Sequence, residues 1–179
     1  MKRSEQEGYT LIELVITLSI VALTLLFSAP SIADWAPYYR MKGDATTIAG
    51  MLTNARFEAV KRGQNVTVTF DPSAETVTVS AGGTTLNTYT LSQSVDFGIN
   101  QVIEKDDLNA SGHPPTKKIT FAGSSVVFAS NGAATPAGEL YLMFDPAATV
   151  NKQYFFGVAV EASGQVTYSR WNESGAAWD

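Results

Sequence analysis

The stretch Gly8-Tyr9-Thr10-Leu11-Ile12-Glu13-Leu14-Val15-Ile16-Thr17-Leu18-Ser19-Ile20-Val21-Ala22-Leu23-Thr24-Leu25-Leu26-Phe27 decides how this chain is read. It is apolar for about 20 residues, the length that crosses a bilayer. It begins almost at the N-terminus and carries one carboxylate, Glu13, near its start. A charge at membrane depth costs about 2.5–3.5 kcal/mol on insertion scales, which makes Glu13 a candidate functional residue by default. The plainer alternative is an ordinary anchor whose Glu13 sits at the headgroup level.

The flanks decide between these. Met1 to Gly8 is short and polar, with Lys2 and Arg3 ahead of Glu5 and Glu7. A secretory signal places its apolar region before a small-residue cleavage site. Here the apolar region follows the candidate site, so a cut after Gly8 would remove the leader and keep the anchor. The new amine, on Tyr9, would lie a few residues from Glu13. The run Gly8-Tyr9-Thr10-Leu11-Ile12-Glu13-Leu14 closely resembles the prepilin motif of type IV pilins and type II secretion pseudopilins. That resemblance implies cleavage between Gly8 and Tyr9 by the membrane-bound prepilin peptidase, and N-methylation of Tyr9. The family's usual first mature residue is phenylalanine; Tyr9 departs from it but keeps the ring. It also implies assembly through Glu13, whose carboxylate would pair with the Tyr9 amine of a neighbour or of its own chain. The positive-inside count is a tie, Lys2 and Arg3 before the span against Arg40 and Lys42 after it. The resemblance sets the orientation instead: leader in the cytoplasm, domain in the periplasm.

The apolar run reaches Ala29 and meets Pro30, where the missing N–H and the ring's crowding predict a helix kink. Trp35, Tyr38 and Tyr39 follow as an aromatic cluster suited to a membrane–water interface or to packing between subunits. From Arg40 to Arg62 the pattern becomes amphipathic: Ile48, Met51, Leu52, Ala55 and Ala59 recur at helical spacing, with Asp44, Asn54, Glu58 and Arg62 off the stripe. Gly43 and Gly50 lower the helix propensity without breaking the period. Gly63, after Lys61 and Arg62, is the predicted stop.

Beyond Gly63 the period drops to two. Val66, Val68 and Phe70 alternate with threonines, and Val77 and Val79 continue after an Asp71–Glu75 turn. Further strands are predicted over Thr84–Leu91, Val95–Ile99, Lys117–Phe121, Ser125–Ala129, Glu139–Phe144, Tyr154–Val160 and Gln165–Trp171. Loops are predicted over 100–116 and 131–138, and a loose tail from Asn172 unless Trp178 docks. One long helix followed only by strands predicts an α+β domain, the helix packed on an antiparallel sheet. The expected organisation is a leader over 1–8, a transmembrane and polymerisation helix over 9–36, and a periplasmic globular domain over 37–179, helical to about residue 62.

A second resemblance extends over this domain. The run from Leu52 to Val68, with Ala55-Arg56 and then Ala59-Val60-Lys61-Arg62-Gly63 leading into the first strand, is similar to the GspH/FimT branch of the pseudopilins. Phe128-Ala129-Ser130-Asn131-Gly132 and Ala162-Ser163-Gly164-Gln165-Val166 resemble the same branch. The implied fold is the pilin fold. The implied function is a minor structural subunit of a type IV pilus or type II secretion pseudopilus, a single-pass inner-membrane protein incorporated into the filament. Its partners would be other pilin or pseudopilin subunits, the prepilin peptidase and the inner-membrane assembly platform. The alternative is a binding module at the filament tip, serving DNA uptake, adhesion or contact with a secreted substrate, with loops 100–116 and 131–138 as the candidate surfaces.

No catalytic constellation is visible. His113 is the only histidine and cannot supply a multi-histidine zinc site; no G-x-S-x-G elbow is present. No cofactor or metal is expected: Glu104, Asp106 and Asp107 lack EF-hand spacing and read as a solvated loop. The absence of cysteine excludes disulfides and thiolate metal sites, and weakly favours a minor over a major subunit. With a net charge of −5 and Arg170 alone near the end against Glu161, Glu173 and Asp179, the chain offers little for DNA binding, which rewards clustered cations.

Overall fold

A computed structural model describes residues 10–98, 119–144, 155–172 and 177–178. The chain forms two compact units, Met1–Ala36 and Pro37–Asp179. Helix α1 runs from Leu11 to Arg62 and is helical through Pro30.

In the N-terminal unit Thr10 caps the helix. Its Oγ1 accepts the Glu13 N–H at 3.3 Å, and its carbonyl accepts the N–H groups of Glu13 and Leu14 at 3.1 and 3.2 Å. Thr10 and Glu13 thus occupy the Ncap and N3 positions of a T-x-x-E sequence, and the carboxylate lies in the first turn, where the helix dipole favours negative charge.

In the C-terminal unit α1 ends as the sequence predicts. Gly63 has φ +64°. Its N–H bonds the Val60 carbonyl, and the Gln64 N–H bonds the Ala59 carbonyl, both at 3.3 Å. This is a Schellman termination, which places a left-handed residue just past the helix.

The strands form two antiparallel sheets rather than one. The first comprises β1 (Val66–Asp71), β2 (Thr76–Ala81), β3 (Thr84–Thr90), β5 (Ser125–Phe128) and β6 (Ala134–Thr135), in the order β3-β2-β1-β5-β6. The second comprises β4 (Val95–Phe97), β7 (Gly138–Phe144), β8 (Phe155–Val160), β9 (Val166–Asn172) and β10 (Ala177–Trp178), in the order β10-β9-β8-β7-β4. Local period predicts most of the strands, though not β6 or β10, and sheet membership is non-local: β4 crosses to pair β7, more than 40 residues on.

One core serves both sheets. Met41, Ile48, Leu52, Ala55 and Ala59 of α1 meet Val66, Val68 and Phe70 of the first sheet and Leu140, Leu142 and Val158 of the second. Phe70 stacks on Phe121 with centroids 5.3 Å apart and meets Phe97 edge-on at 6.4 Å. These contacts tie the two sheets together.

Four local expectations are corrected. Asp44 is not on the solvent side of α1 but fully buried. Around Lys117–Phe121 the described residues hold only an isolated bridge, Ile119 to Leu140, followed by a 3-10 turn over Ala122–Ser124. Loop 131–138 is partly a strand, β6, which pairs β5. The tail takes the docked alternative and not the loose one: β9 reaches Asn172 and β10 places Trp178 in register with Trp171. Each depends on which groups a segment meets in the fold, near in sequence for β6 and β10 and far for Asp44 and Ile119, and local period does not reveal that. The predicted strand end at Ile99 and all of loop 100–116, with His113, Glu104, Asp106 and Asp107, lie outside the described residues, as do Gly8 and Tyr9.

Candidate functional site

Two features stand out, one in each unit. In the first, ten large hydrophobic side chains from Leu11 to Leu25 are 51–82% exposed. They lie on every side of the helix, not on one stripe. A helix apolar all round belongs in lipid or among other helices, because water would penalise each side chain by about 1.5–3 kcal/mol relative to burial. The polar side chains in the run are largely silenced. Thr17, Ser19 and Thr24 donate their hydroxyls to the carbonyls of Glu13, Val15 and Ile20 at 3.0, 2.7 and 2.8 Å. Back-bonding of this kind leaves no hydroxyl in need of water. Glu13 is the exception, an exposed carboxylate one turn from the cap. Among the described residues no helix is long and apolar enough to cross a membrane. The apolar sequence continues to Ala29, past the last of these described side chains.

In the second unit, three motifs far apart in sequence meet at Arg56. Its Nε donates to the Gly132 carbonyl at 3.0 Å, and its Nη2 donates to the Ser163 carbonyl at 3.1 Å. Ala134 N–H bonds the Ala162 carbonyl at 3.0 Å, so β6 of the first sheet is tied to the β8–β9 hairpin of the second. Arg56 closes that seam from the helix. Two glycines make the approach possible. Gly164, at φ +78°, would place a Cβ 2.0 Å from the Gly132 oxygen and 2.9 Å from Arg56 Nε. Gly132, at φ +82°, would place one 3.2 Å from Arg56 Nε.

Asp44 anchors the start of the domain helix. Its Oδ1 accepts the Tyr89 hydroxyl and the Ser92 hydroxyl, each at 2.7 Å, and its Oδ2 accepts the Ser92 N–H at 2.9 Å. Three donors make this buried carboxylate tolerable with no cationic partner among the described residues. Burial, and then the Asp44 carboxylate, push the Tyr89 phenol above its ordinary pKa. A second buried acid, Glu139, accepts the Tyr141 hydroxyl. At the helix end, the bond from Arg62 holds the Glu58 carboxyl below its usual range; Nε and Oε2 are 2.6 Å apart.

Neither Asp44 nor Arg56 was singled out by the sequence as a site. Asp44 sits four before Ile48 and seven before Met51, on the buried face by spacing alone; its polarity hid it. Arg56 was visible only through resemblance. Among the described residues no group of three or more acidic, histidine or cysteine side chains is placed to hold a metal ion. Arg170 lies on β9 and Lys117 and Lys118 outside the described residues.

A long helix packed on antiparallel sheets, with an all-round apolar stretch in its N-terminal part, is the architecture of the pilin fold. The family model for type II transport protein GspH matches residues 44–164, and the prokaryotic N-terminal methylation motif matches residues 3–29. The chain belongs to the GspH family. No curated protein sequence matches it. Among solved structures, the minor pseudopilin EpsH of the Vibrio cholerae type 2 secretion system is 18% identical with a TM-score of 0.47, covering 72% of this chain and 95% of its own. The Pseudomonas aeruginosa type IV minor pilin FimU is 14% identical with a TM-score of 0.44, covering 73% and 88%. Families of this kind supply structural subunits, not enzymes. They are membrane-anchored and assemble with other pilin-type subunits.

Proposed function

We propose that this chain is a minor subunit of a type II secretion pseudopilus or type IV pilus, matured by peptidase cleavage after Gly8 and methylated at Tyr9. Residues 9–36 serve first as a single-pass inner-membrane anchor and then as the polymerisation helix, and residues 37–179 form the periplasmic domain. The observation that carries this reading is the ring of exposed hydrophobes from Leu11 to Leu25 with Glu13 as its one charge. Before assembly, lipid covers that ring. On extraction by the assembly platform, neighbouring helices cover it. Glu13 then needs an opposite charge, since an uncompensated carboxylate in a low-dielectric bundle costs several kcal/mol. The Tyr9 amine of a neighbour supplies it and sets the register between subunits. Pro30 gives the helix a place to bend during this transfer.

Glu13→Ala tests the reading directly. Membrane fractionation should be unchanged, and recovery of the chain in sheared filaments should fall at least tenfold. Normal incorporation of Glu13→Ala would sink the role of the carboxylate.

A further inference from the structure

We propose that the open edge of the first sheet, at β3, is a strand-addition site for an extended, uncharged segment of another pilin-type subunit. The inference rests on the filament-subunit reading and names the partner surface of that subunit. Three observations carry it. First, β3 pairs only with β2 among the described residues, so its outer row of N–H and C=O groups faces outward. Its sequence, Thr84-Thr85-Leu86-Asn87-Thr88-Tyr89-Thr90, holds no charge and no proline, and most of its residues are exposed. Soluble proteins guard such edges with lysine, proline or a covering element, because an unguarded edge templates pairing with another chain.

Second, a groove of about 370 Å³ runs beside this edge, between β3 and α1, with Met51, Ala55, Val79 and Leu86 among its walls. A strand added to β3 would lie about 4.8 Å further out, and every second side chain would point to the helix side, into this groove. Strand addition draws affinity from main-chain bonds and specificity from such pockets. Third, the register slips between Val79 and Ser80: Val79 faces Asn87 and Ser80 faces Thr85, which leaves Leu86 as the extra residue of a bulge. Bulges re-aim side chains. This one turns Leu86 into the groove, at the cost of local pairing within the subunit.

The groove's chemistry narrows the occupant. The rim charges Glu58 and Arg62 are already paired to each other, and the walls formed by Met51, Ala55, Val79 and Leu86 are apolar, so a charged side chain entering the groove would displace an existing pair or lose its own hydration. An apolar residue flanked by small polar ones matches walls and rim. The contact is head-to-tail, edge to segment, the kind that propagates along a helical filament.

The test uses the full chain in a host cell whose filaments contain it. A benzophenone amino acid replaces Asn87 on the edge or, as a control, Thr69 on the exposed face of β1. Irradiated filaments should give a cross-link at position 87 at least tenfold stronger than at position 69, mapping to an extended segment of a different subunit. Leu86→Lys, which puts a charge into the groove, should abolish it while the domain still unfolds cooperatively and leader processing is unchanged. Asn87→Lys, at an exposed position on the groove's rim, should weaken it if Leu86→Lys proves unstable. Equal cross-linking at both positions, attachment to a helix, or attachment only to β3 of a second copy would overturn the proposal. If the unsubstituted chain is absent from filaments altogether, the filament reading fails first, and this inference falls with it.

Discussion

The Arg56 guanidinium bonds the Gly132 carbonyl at 3.0 Å across a separation of 76 residues, and its other end reaches Ser163. One side chain thereby joins the helix to a loop of the first sheet and a hairpin of the second. Bonds from a charged donor contribute about 1.5–3 kcal/mol each when well formed, and less where water competes. Arg56→Ala should therefore lower the domain's stability by about 2–3 kcal/mol. Arg56→Lys should cost less than Ala, because an ammonium reaches one carbonyl but not the planar pair. Chemical denaturation of the three proteins gives the order. Amide exchange at Ala134, whose N–H bridges the seam, should quicken in step with it.

The seam also shows what could be read from the sequence and what could not. The long helix, its stop at Gly63 and the strands β1, β2 and β8 follow from local period and local stop signals. So does the N-terminal methylation motif, because it is a run of consecutive residues. The division into two sheets does not. It depends on β4 pairing with β7 and on β6 meeting the β8–β9 hairpin, contacts that no window of sequence contains. Asp44 illustrates a narrower limit. Its position fits the buried stripe, but burial of a carboxylate requires donors, and Tyr89 and Ser92 are more than 40 residues away. For Arg56 the same holds: nothing local says that a cation between Ala55 and Phe57 will meet two carbonyls.

Two glycine substitutions should act with opposite sign. Gly164 sits at φ +78° with the Gly132 oxygen 2.0 Å from where a Cβ would be. Gly164→Ala should cost at least about 1–3 kcal/mol from the backbone conformation alone, and more from displacing the Gly132 carbonyl off Arg56. Gly50 lies inside α1, exposed, with nothing within 4 Å of its would-be Cβ. Gly50→Ala should stabilise by about 0.5–1 kcal/mol, since it only removes conformational freedom from the unfolded chain. Thermal melts of both variants beside the unsubstituted chain provide the check.

Gly8→Val should block leader removal. The proposed cut falls two residues before the helix cap at Thr10, and a branched side chain at that position obstructs approach to the bond. The expected outcome is a full-length species in the membrane fraction, heavier by the leader, and no methylated Tyr9 amine by mass spectrometry. A processed N-terminus in that variant would contradict the assignment of the cleavage site.

Tyr89 gives the domain a pH dependence whose sign is fixed by its surroundings. Burial first, and then the neighbouring Asp44 carboxylate, hold the phenol's pKa above its ordinary value. The folded chain therefore keeps the proton at pH values where the unfolded chain has begun to release it. By linkage, the stabilisation from Tyr89 is complete below its unfolded pKa of about 10 and is lost as pH rises through the folded value. Tyr89→Phe should remove that part of the alkaline slope. At neutral pH it should cost about 1.5 kcal/mol, the low end for a bond to a charged acceptor, because the ring is partly exposed. Denaturant midpoints of the two proteins from pH 7 to 11 separate the effects. The difference between them should be constant up to about pH 10 and then shrink, because only the unsubstituted chain carries this phenol. A difference that widened above pH 10 would mean that ionised Tyr89 is stabilised in the folded state, which its 2.7 Å contact with Asp44 forbids.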